Sequence, residues 1–465
     1  MKESKKFHKI CILLVCCLLV VIVIWLGVGL KKDKGGINMD KVFASAVVQA
    51  DYPKMTQYPD ENAYFNKNGE FDDKAFSAVY DAWWADRRAQ QDQPEGYADG
   101  LDDFFQKSMQ QFLIDKDAEN CVYSPVNLYM ALCMLAEITD GESRGQILEL
   151  LGTDNIETLR TQASSVWNAN YCDDGAVTSV LANSLWLDEA LPYQKEVLDI
   201  LAKNYYASSF QGEMGSERFD KELQDWLNAQ TGGLLQEQAE GIHMKEETIL
   251  ALASTIYFRA KWSNQFSKNA TTEDIFHAKN GDISCDFMHQ SNSRTYYWED
   301  RFAAVAQSLE GSGSMWLFLP DENVLVEDLL SDGKVLELAQ SPNEWENSKY
   351  LTVNFSMPKF DVVSKQNLIE GLQALGIKDV FDSDISDFTP IVRDIDDVYV
   401  SQAEHAARVM VDEEGCIAAA YTVMAASGTA MPPEEEVDFV LNRPFLFIIT
   451  GDSGIPLFAG IVNKP

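Results

Sequence analysis

Residues 412–433 read DEEGCIAAAYTVMAASGTAMPP, a run of small and β-forming side chains that carries no charge from Gly415 to Pro433. Acidic residues border the run on both sides, at 412–414 and at 434–436. An exposed loop usually carries polar residues, and a buried strand usually carries bulkier ones. The composition therefore predicts a segment that is a loop in one state of the protein and a β-strand in another.

An extended form of this segment would have two different faces, because successive side chains of a strand point to opposite sides. Such a strand can slide between two existing strands without overpacking the core when its inner face is small. Gly415 provides the free backbone dihedrals that a hinge requires. An Ala-rich helix or linker is the alternative. The small face would be formed by Cys416, Ala418, Ala420, Thr422, Met424, Ala426 and Gly428.

The motifs around this segment resemble the serpin family of serine protease inhibitors, from about residue 98 to 465. The resemblance implies an α+β serpin fold with three β-sheets, about eight or nine helices and an exposed reactive-centre loop at about 412–433. The family's hinge is matched by Glu413, Glu414, Gly415, Cys416, Ala418, Ala419, Ala420 and Thr422. Further matches, in family order, are NCVYSP at 120–125, ASTIYF at 253–258 with Trp262, NRPFLF at 442–447 and PLFAGIV at 456–462.

The resemblance also implies a region where the central sheet opens, formed by Ser124, Asn127, Ser254, Trp262 and His405. The family places a His beneath the sheet, beside two Ser on a helix and an Asn on a neighbouring strand. Here the Asn and the second Ser have exchanged places, as Asn127 and Ser254. A buried polar network is still satisfied if these side chains touch. The alternative interpretation is that these are three unrelated polar residues. Trp262 is expected at the top of the central sheet, where the loop first enters the sheet.

Family members are cut about fifteen residues beyond the hinge Gly, just before a Pro-rich exit, which implies Thr429–Ala430 as the reactive bond. The predicted function is irreversible suicide-substrate inhibition of serine proteases by cleavage and loop insertion. Thr429 is small, which favours an elastase-like or subtilisin-like target with a shallow primary pocket. Two alternatives stay open: a non-inhibitory serpin that binds partners at a cell surface, to which Tyr421 points, and an inhibitor of cysteine proteases.

Nothing in the sequence predicts an enzyme. The motif GDSG at 451–454 resembles the nucleophile signature of trypsin-like proteases, but none of the five His residues has the sequence context of the required base. A hairpin turn is the better interpretation of this motif. The His residues also lack the spacing of metal ligands, so neither a metal nor a cofactor is expected.

The charge of the chain restricts its partners. The net charge is −36, and outside residues 1–34 it is −41, from 30 basic and 71 acidic residues. Such a surface excludes nucleic acid as a partner and favours basic proteins. Heparin is an unlikely partner too, because the expected helix at 153–170 contains one Arg and no Lys. The protein is expected to act as a monomer.

The N-terminus predicts a membrane anchor. Residues 10–30 carry no charge, and 21 residues at ~1.5 Å each span about one bilayer core. We expect a cytoplasmic tail and anchor at 1–34 and an extracellular serpin domain at 98–465. By resemblance alone, a single-pass anchor on a serpin implies a bacterial cell surface. Secretion after signal cleavage is the alternative, although the apolar region is long for a signal peptide.

Residues 35–97 precede the region of family resemblance and form an addition to it. An amphipathic helix is predicted near 72–91, because Phe76, Val79, Tyr80, Trp83 and Trp84 recur at helical spacing. Docking on the serpin body would bury the two Trp side chains, and a partner site is the alternative. The five Cys residues beyond the anchor show no disulfide framework, and Cys416 is a possible reactive thiol.

Overall fold

Two large β-sheets and ten α-helices make up the part of the chain that this computed structural model describes, namely residues 42–43, 45–114, 119–311, 313–393, 395, 398–416 and 433–465. The compact unit described below runs from Phe43 to Pro465, and of the other unit, 1–42, only Val42 is described. The helices are α1 (Asp73–Gln91), α2 (Leu101–Leu113), α3 (Pro125–Ile138), α4 (Gly141–Leu150), α5 (Ile156–Asn170), α6 (Lys195–Asn204), α7 (Glu217–Gln230), α8 (Gln236–Glu240), α9 (Lys334–Gln340) and α10 (Ile369–Ala374).

The first sheet has eight strands, in the spatial order β1-β5-β4-β6-β14-β13-β12, with β3 paired to β4. Strands β4 and β5 are parallel, whereas the other pairs along this path are antiparallel. The strands are β1 (Ala46–Val48), β3 (Cys172–Asp173), β4 (Thr178–Asp188), β5 (Ala207–Gly212), β6 (Leu250–Lys261), β12 (Phe360–Asn367), β13 (Glu404–Val411) and β14 (Gly415–Cys416).

The second sheet has nine strands, in the order β15-β11-β8-β9-β10-β16-β17-β2, with β7 paired to β8. The motif GDSG at 451–454 lies in the turn between β16 and β17, which are antiparallel. The strands are β2 (Cys121–Tyr123), β7 (Thr272–Ala278), β8 (Gly281–Glu299), β9 (Phe302–Ser308), β10 (Ser314–Pro320), β11 (Ser348–Pro358), β15 (Glu436–Val440), β16 (Phe445–Thr450) and β17 (Pro456–Val462).

The predicted α+β serpin fold is confirmed, with one difference in detail, the number of sheets. Within the described residues nine helices, α2 to α10, lie in the predicted serpin domain at 98–465, and α1 precedes it. Two hydrogen-bonded sheets are present there instead of the three expected. The reason is the 19-residue length of β8. This strand pairs with β7, β9 and β11 and so joins two groups of strands into one sheet.

Helix α3 lies at the centre of the core and positions the candidate site. Its sequence is apolar on nearly every side, a composition typical of a helix that is buried all round. The helix begins sharply, because the Ser124 hydroxyl accepts the backbone N–H of Asn127 at 3.2 Å and Pro125 occupies the first turn. Contacts of α3 with β6 place its first turn beneath the first sheet.

The prediction of a single-pass membrane protein is corrected by the structure. Across the residues that are described, no helix is both long and apolar enough to cross a membrane. The structure therefore gives no support to a location in the cell membrane. The predicted span itself, residues 10–30, lies outside the described residues.

The segment before the serpin domain lies along the body of the protein. Strand β1 pairs with β5 at the edge of the first sheet, and helix α1 contacts α5. Trp83 in α1 is buried, at 3% exposure, whereas Trp84 keeps part of its surface accessible. The domain boundaries predicted at 34/35 and 97/98 stay predictions.

Candidate functional site

The candidate site begins at a tight turn between β13 and β14. The Asp412 carboxylate accepts the backbone N–H groups of Glu414 at 2.8 Å and of Gly415 at 3.2 Å. The backbone N–H of Asp412 donates to the Gly415 carbonyl at 3.2 Å. An Asp side chain that bonds the backbone two residues ahead stabilises a reversal of this kind. The chain thus leaves β13 and returns beside it at once, with Cys416 opposite Val411.

Strand β14 is two residues long and lies between β6 and β13. Gly415 is opposite Lys261 and Cys416 is opposite Ala260, and β14 is antiparallel to both neighbours. Over the rest of their described length, β6 and β13 form no ladder with each other. Because one strand separates them at β14, the two are about 9–10 Å apart there, twice the usual strand spacing. At this end of the sheet, β14 therefore already occupies a strand position between β6 and β13.

The segment that follows β6 binds the turn through three successive carbonyl groups. The Trp262 indole Nε1–H donates to the carbonyl of Asp412 at 2.8 Å, and its backbone N–H donates to that of Glu414 at 3.1 Å. The backbone N–H of Phe266 donates to the Glu413 carbonyl at 3.0 Å. Trp262 is almost fully buried, at 1% exposure, so this indole is a rigid support for the turn. Trp262 thus lies beside the turn that leads into β14.

Two neighbouring carboxylates in the turn have different surroundings. Glu413 is buried and accepts the Thr271 hydroxyl at 2.8 Å and the Lys359 ammonium at 3.0 Å. Burial acts to raise the pKa of Glu413, but the hydrogen bonds from Thr271 and Lys359 outweigh it and the pKa lies below its usual value. Glu414 pairs instead with Lys268 at the surface, at 2.5 Å.

Gly415 is required by a close approach of the backbone. A Cβ atom at this position would lie 2.3 Å from the carbonyl oxygen of Ala260 and 2.7 Å from the Cα atom of Lys261. Both are backbone atoms, which cannot rotate away as a side chain can. The hinge glycine therefore allows β14 to pair closely with β6.

Cys416 is buried, at 3% exposure, with its side chain turned into the protein. Burial raises the pKa of its thiol above the usual value. A buried thiol with a raised pKa is a small apolar side chain and a poor nucleophile. The structure thus favours a packing role over the reactive thiol that the sequence left open.

The side chain of His405, on β13, lies on the inner side of the first sheet and contacts the backbone of Ser124 at the start of α3. The backbone N–H of Ser124 donates to its Nε2 atom at 3.1 Å, and its ring stands edge-on to Tyr123 with centroids 6.2 Å apart. Burial without a charged partner lowers the pKa of His405 to about 4. The imidazole is therefore neutral at physiological pH, with its proton on Nδ1.

The exchanged pair, Asn127 and Ser254, is in direct contact. The Asn127 amide donates to the Ser254 carbonyl at 3.0 Å, and the Ser254 hydroxyl bonds to the Asn127 amide oxygen. The same hydroxyl lies 2.6 Å from the amide oxygen of Asn183, whose amide nitrogen donates to the Tyr205 carbonyl at 2.8 Å. One hydroxyl proton serves one of these two oxygens at a time. The side chains of Asn127, Ser254 and Asn183 thus form a polar cluster between α3, β6 and β4.

The structure brings together four of the five predicted sheet-opening residues, whereas Trp262 contacts the hinge turn beyond the end of β6. His405 joins the network through the backbone of Ser124, and Ser124 in turn caps the helix that carries Asn127. Asn183 was missed by the sequence analysis, although an Asn within the apolar run SVLANSLWL at 179–187 is itself a signal of a buried polar contact. The roles assigned to these residues stay predictions. The predicted residues Ala418, Ala419, Ala420, Thr422, Thr429 and Ala430 lie outside the described residues.

Comparison with known proteins identifies the family. The profile described as "Serpin (serine protease inhibitor)" matches residues 99–465. Leukocyte elastase inhibitor of Homo sapiens is 30% identical over 362 residues, covering 75% of this chain and 94% of that protein. Serpin-ZX of Arabidopsis thaliana is 27% identical over 367 residues, covering 74% of this chain and 92% of that protein. The native state of tengpin, a thermophilic serpin, has a TM-score of 0.71 at 26% identity, covering 80% of this chain and 95% of tengpin.

The chain belongs to the serpin family. The relatives named above from human and from a plant give no support to the bacterial source predicted from the N-terminal segment. Serpins are inhibitors of serine proteases by their family description, and not catalysts.

The buried imidazole predicts a pH dependence of stability. An unfolded His takes up a proton near pH 6.5, whereas folded His405 resists protonation until about pH 4. Because the unfolded state binds more protons in this window, the free energy of unfolding falls as the pH drops from about 6.5 to about 4, by roughly 3 kcal/mol in total. His405→Gln keeps an acceptor for the Ser124 N–H and lacks this titration.

The measurement is the midpoint of urea unfolding, monitored by Trp fluorescence, at several pH values for the wild type and for His405→Gln. Carboxylates titrate in both proteins, so the difference between the two profiles isolates the imidazole. We expect the profiles to converge as the pH falls. Parallel profiles would contradict a neutral, buried His405.

The two carboxylates of the turn predict unequal effects of the same substitution. Glu413→Gln removes a buried charge from Lys359 and Thr271, so we expect a loss of roughly 1–2 kcal/mol in the free energy of unfolding. Glu414→Gln is the matched control, because its partner Lys268 is exposed and the pair is screened by water. Urea unfolding of both variants makes the comparison, and equal losses would show that burial of Glu413 is unimportant.

Proposed function

We propose that the protein is an irreversible suicide-substrate inhibitor of serine proteases, cleaved at Thr429–Ala430 and trapped by insertion of the hinge segment into the first sheet. Residues 98–465 carry this activity in the proposal, and 35–97 are an addition to it. The observation that carries the proposal is β14, a strand two residues long that already lies between β6 and β13.

The register of β14 supports insertion over the length of the sheet. A strand that continued from Cys416 with the pairing of Gly415 to Lys261 would bring Ala426 opposite Leu250, the first residue of β6. On the other side it would bring Val423 opposite Glu404, the first residue of β13. The segment up to Thr429 is thus long enough to pair along the whole of both strands.

The same register places one hinge residue at the polar cluster. Thr422 would come opposite Ser254 on β6 and opposite His405 on β13. On β13, His405 and every second residue up to Val411 are buried, and Cys416 opposite Val411 is buried as well. Because Thr422 would lie opposite His405, its side chain would also face the core. A small hydroxyl there suits a position between two polar groups, where a larger or charged side chain would be excluded.

The chemistry follows from ordinary acyl transfer. The Ser hydroxyl of the protease attacks the Thr429 carbonyl, an ester to Thr429 forms, and the amine of Ala430 leaves after taking up a proton. Insertion of 14 residues at ~3.3 Å each then moves the ester by about 45 Å and drags the protease with it. Loss of one oxyanion donor in the deformed protease slows hydrolysis of the ester by ~100–1000-fold.

The proposed target is an elastase-like or subtilisin-like protease. Thr429 offers neither the cation of a trypsin substrate nor the ring of a chymotrypsin substrate. The human relative at 30% identity is named leukocyte elastase inhibitor, which supports the same class of target. The acidic surface of the chain, −36 overall, favours a basic protease among them.

Heparin is not a partner in this proposal. Arg160, the one basic residue of 153–170, is held by both carboxylate oxygens of buried Glu137 at 2.6 and 2.7 Å. The Glu137 carboxylate also accepts the Tyr205 hydroxyl at 2.9 Å. A guanidinium committed to such a pair is a poor ligand for a polyanion.

A pair of neighbouring substitutions tests the insertion. With an elastase, we expect the wild type to form a complex that survives SDS gel electrophoresis. Thr422→Glu places a charge on the inner face and should convert the protein into a substrate, cleaved with the covalent band reduced about tenfold or more. Val423→Glu, with the same charge on the outer face, is the control and should retain most of the complex.

The outcomes separate the candidate functions. Cleavage of the wild type without any covalent band would contradict inhibition and favour a non-inhibitory binding protein. Equal loss in both variants would contradict the proposed strand parity. A covalent band with a papain-type protease, and none with serine proteases, would move the target to the cysteine class.

Target specificity is tested at the reactive bond. Thr429→Arg supplies the cation that a trypsin-like primary pocket binds, so its rate of complex formation with trypsin should rise by about 100-fold or more. Thr429→Val is the control, because its shape is nearly that of Thr and no cation is introduced. Mass spectrometry of the released C-terminal peptide locates the bond, and a cut elsewhere would contradict Thr429–Ala430.

A further inference from the structure

Residues 45–97 form a segment that we call the N-terminal strap. It lies before the family match at 99–465 and is packed on the serpin body at several points. Near its start, β1 pairs with the outer edge of β5. Tyr52 then lies among the rings of Trp167, Tyr171 and Tyr206, with centroids 5.2, 5.6 and 6.3 Å away. These contacts attach the strap to the β5 side of the first sheet.

The middle of the strap is bonded to the turn between β3 and β4. The backbone N–H of Tyr58 donates to the Asp174 carbonyl at 2.7 Å, and the Gln57 amide donates to the Asp173 carbonyl at 3.0 Å. Tyr58 also stands edge-on to Trp83 of α1, with ring centroids 5.0 Å apart. The chain between β3 and β4 thus receives hydrogen bonds from an extended part of the strap.

Arg87 of α1 joins the two sheets through one guanidinium. The Arg87 side chain is buried, and its Nη1 atom is 3.1 Å from the carboxylate of Asp174, which is fully buried as well. Its Nη2 atom donates to the carbonyl of Gly311. Asp174 belongs to the first sheet, in the turn before β4, whereas Gly311 belongs to the turn between β9 and β10 of the second sheet.

Gly311 is shaped for this contact. Its φ of +60° is in the left-handed region, and a Cβ atom there would lie 2.9 Å from Arg87 Nη1 and 3.4 Å from the ring of Trp84. A side chain at this position would displace the Arg87 guanidinium, and the positive φ would strain any residue other than glycine. The close approach of helix and turn is specific to glycine.

The Gly311 turn is also connected to the end of β6 and so to the hinge. The backbone N–H of Glu310 donates to the Lys261 carbonyl at 2.8 Å, and Leu309 forms a β-bridge with Trp262. Lys261 is the residue that pairs with Gly415 of β14. Arg87 thus holds the turn that supports the edge along which an incoming strand must pair.

Insertion of a strand requires the strands β5, β4 and β6 to move as a block relative to β13 and β12, by about one strand spacing of ~4.8 Å. Arg87 fixes that block, through Asp174, to a turn of the second sheet. We propose that the N-terminal strap is a restraint on sheet opening, and that the Arg87 bridge slows spontaneous insertion of the uncleaved hinge segment. This inference rests on the proposed function and adds a regulatory element to it.

The test compares two adjacent arginines of α1 in the full chain. Arg87→Ala removes the bridge, and Arg88→Ala removes the same charge from an exposed side chain. The uncleaved proteins are incubated at one elevated temperature, and samples are taken for the fraction that still forms an SDS-stable complex with elastase. A second readout that needs no protease is the growth of a heat-resistant conformer on native gels.

We expect Arg87→Ala to convert about tenfold faster than the wild type or more, since each 1.4 kcal/mol of lost restraint is a factor of ten in rate. Arg88→Ala should convert within about twofold of the wild type. Arg87→Ala leaves the buried carboxylate of Asp174 without a positively charged partner. A second variant, Arg87→Ala with Asp174→Asn, therefore guards against misfolding. An Asn oxygen can still accept the N–H groups of Ala176 and Val177, now held by Asp174 at 3.0 and 2.9 Å.

Faster conversion of both bridge variants, by both readouts, supports the proposal. Conversion at the wild-type rate or slower overturns it, as does an equal acceleration by Arg88→Ala. Wild type cleaved within 417–432 provides the separate check on the proposed function. If cleavage yields no heat-resistant form, loop insertion does not occur and both proposals fail; if cleavage does yield it while the bridge variants behave as wild type, the strap proposal alone fails.

Discussion

Three carbonyl groups in a row, those of Asp412, Glu413 and Glu414, accept N–H groups from the short segment between Trp262 and Phe266. The position of the hinge depends on these bonds, because they hold the turn against the end of β6 without using any side chain of β14. Once the turn is held there, β14 has to enter the sheet between β6 and β13. The register of any longer strand is then determined by the same three bonds.

In the proposed function, the same arrangement holds a segment ready for a second state within a stable fold. The turn is secured by the ion pair of buried Glu413 with half-buried Lys359 and by the Asp412 side chain, so the hinge itself need not move when the sheet changes. A strand added beyond Cys416 would gain ladders on two sides at once, which is the strongest gain available to an extended segment. What opposes that gain must lie in the body of the protein, in the contacts that keep the blocks of the first sheet in place.

Much of the fold could be predicted from periodicity, and the exceptions have physical causes. The run of β-branched and apolar residues at 177–187 predicts a strand, which is found at Thr178–Asp188. The helix expected near 72–91 is found at Asp73–Gln91. The residues at 350–360 indicate a single strand, but the structure has β11 and β12 there, because the chain crosses between the sheets at Lys359 while its apolar alternation continues. The bond of Arg87 to Asp174 could not be predicted, since a sequence does not tell which of many charges will be buried together. For the site, the sequence motifs singled out the hinge residues, whereas the turn at Asp412 and the backbone contact of His405 with Ser124 required coordinates.

The exchange of Asn127 and Ser254 has a consequence for anyone who transplants residues between serpins. The amide and the hydroxyl satisfy each other across α3 and β6, and Asn183 depends on the same hydroxyl. A Ser grafted at 127 alone would leave the Ser254 carbonyl without its donor, and an Asn grafted at 254 alone would crowd a third amide into the cluster. The two sites are epistatic: each parental residue is acceptable only with its own counterpart, so chimeras must carry both or neither.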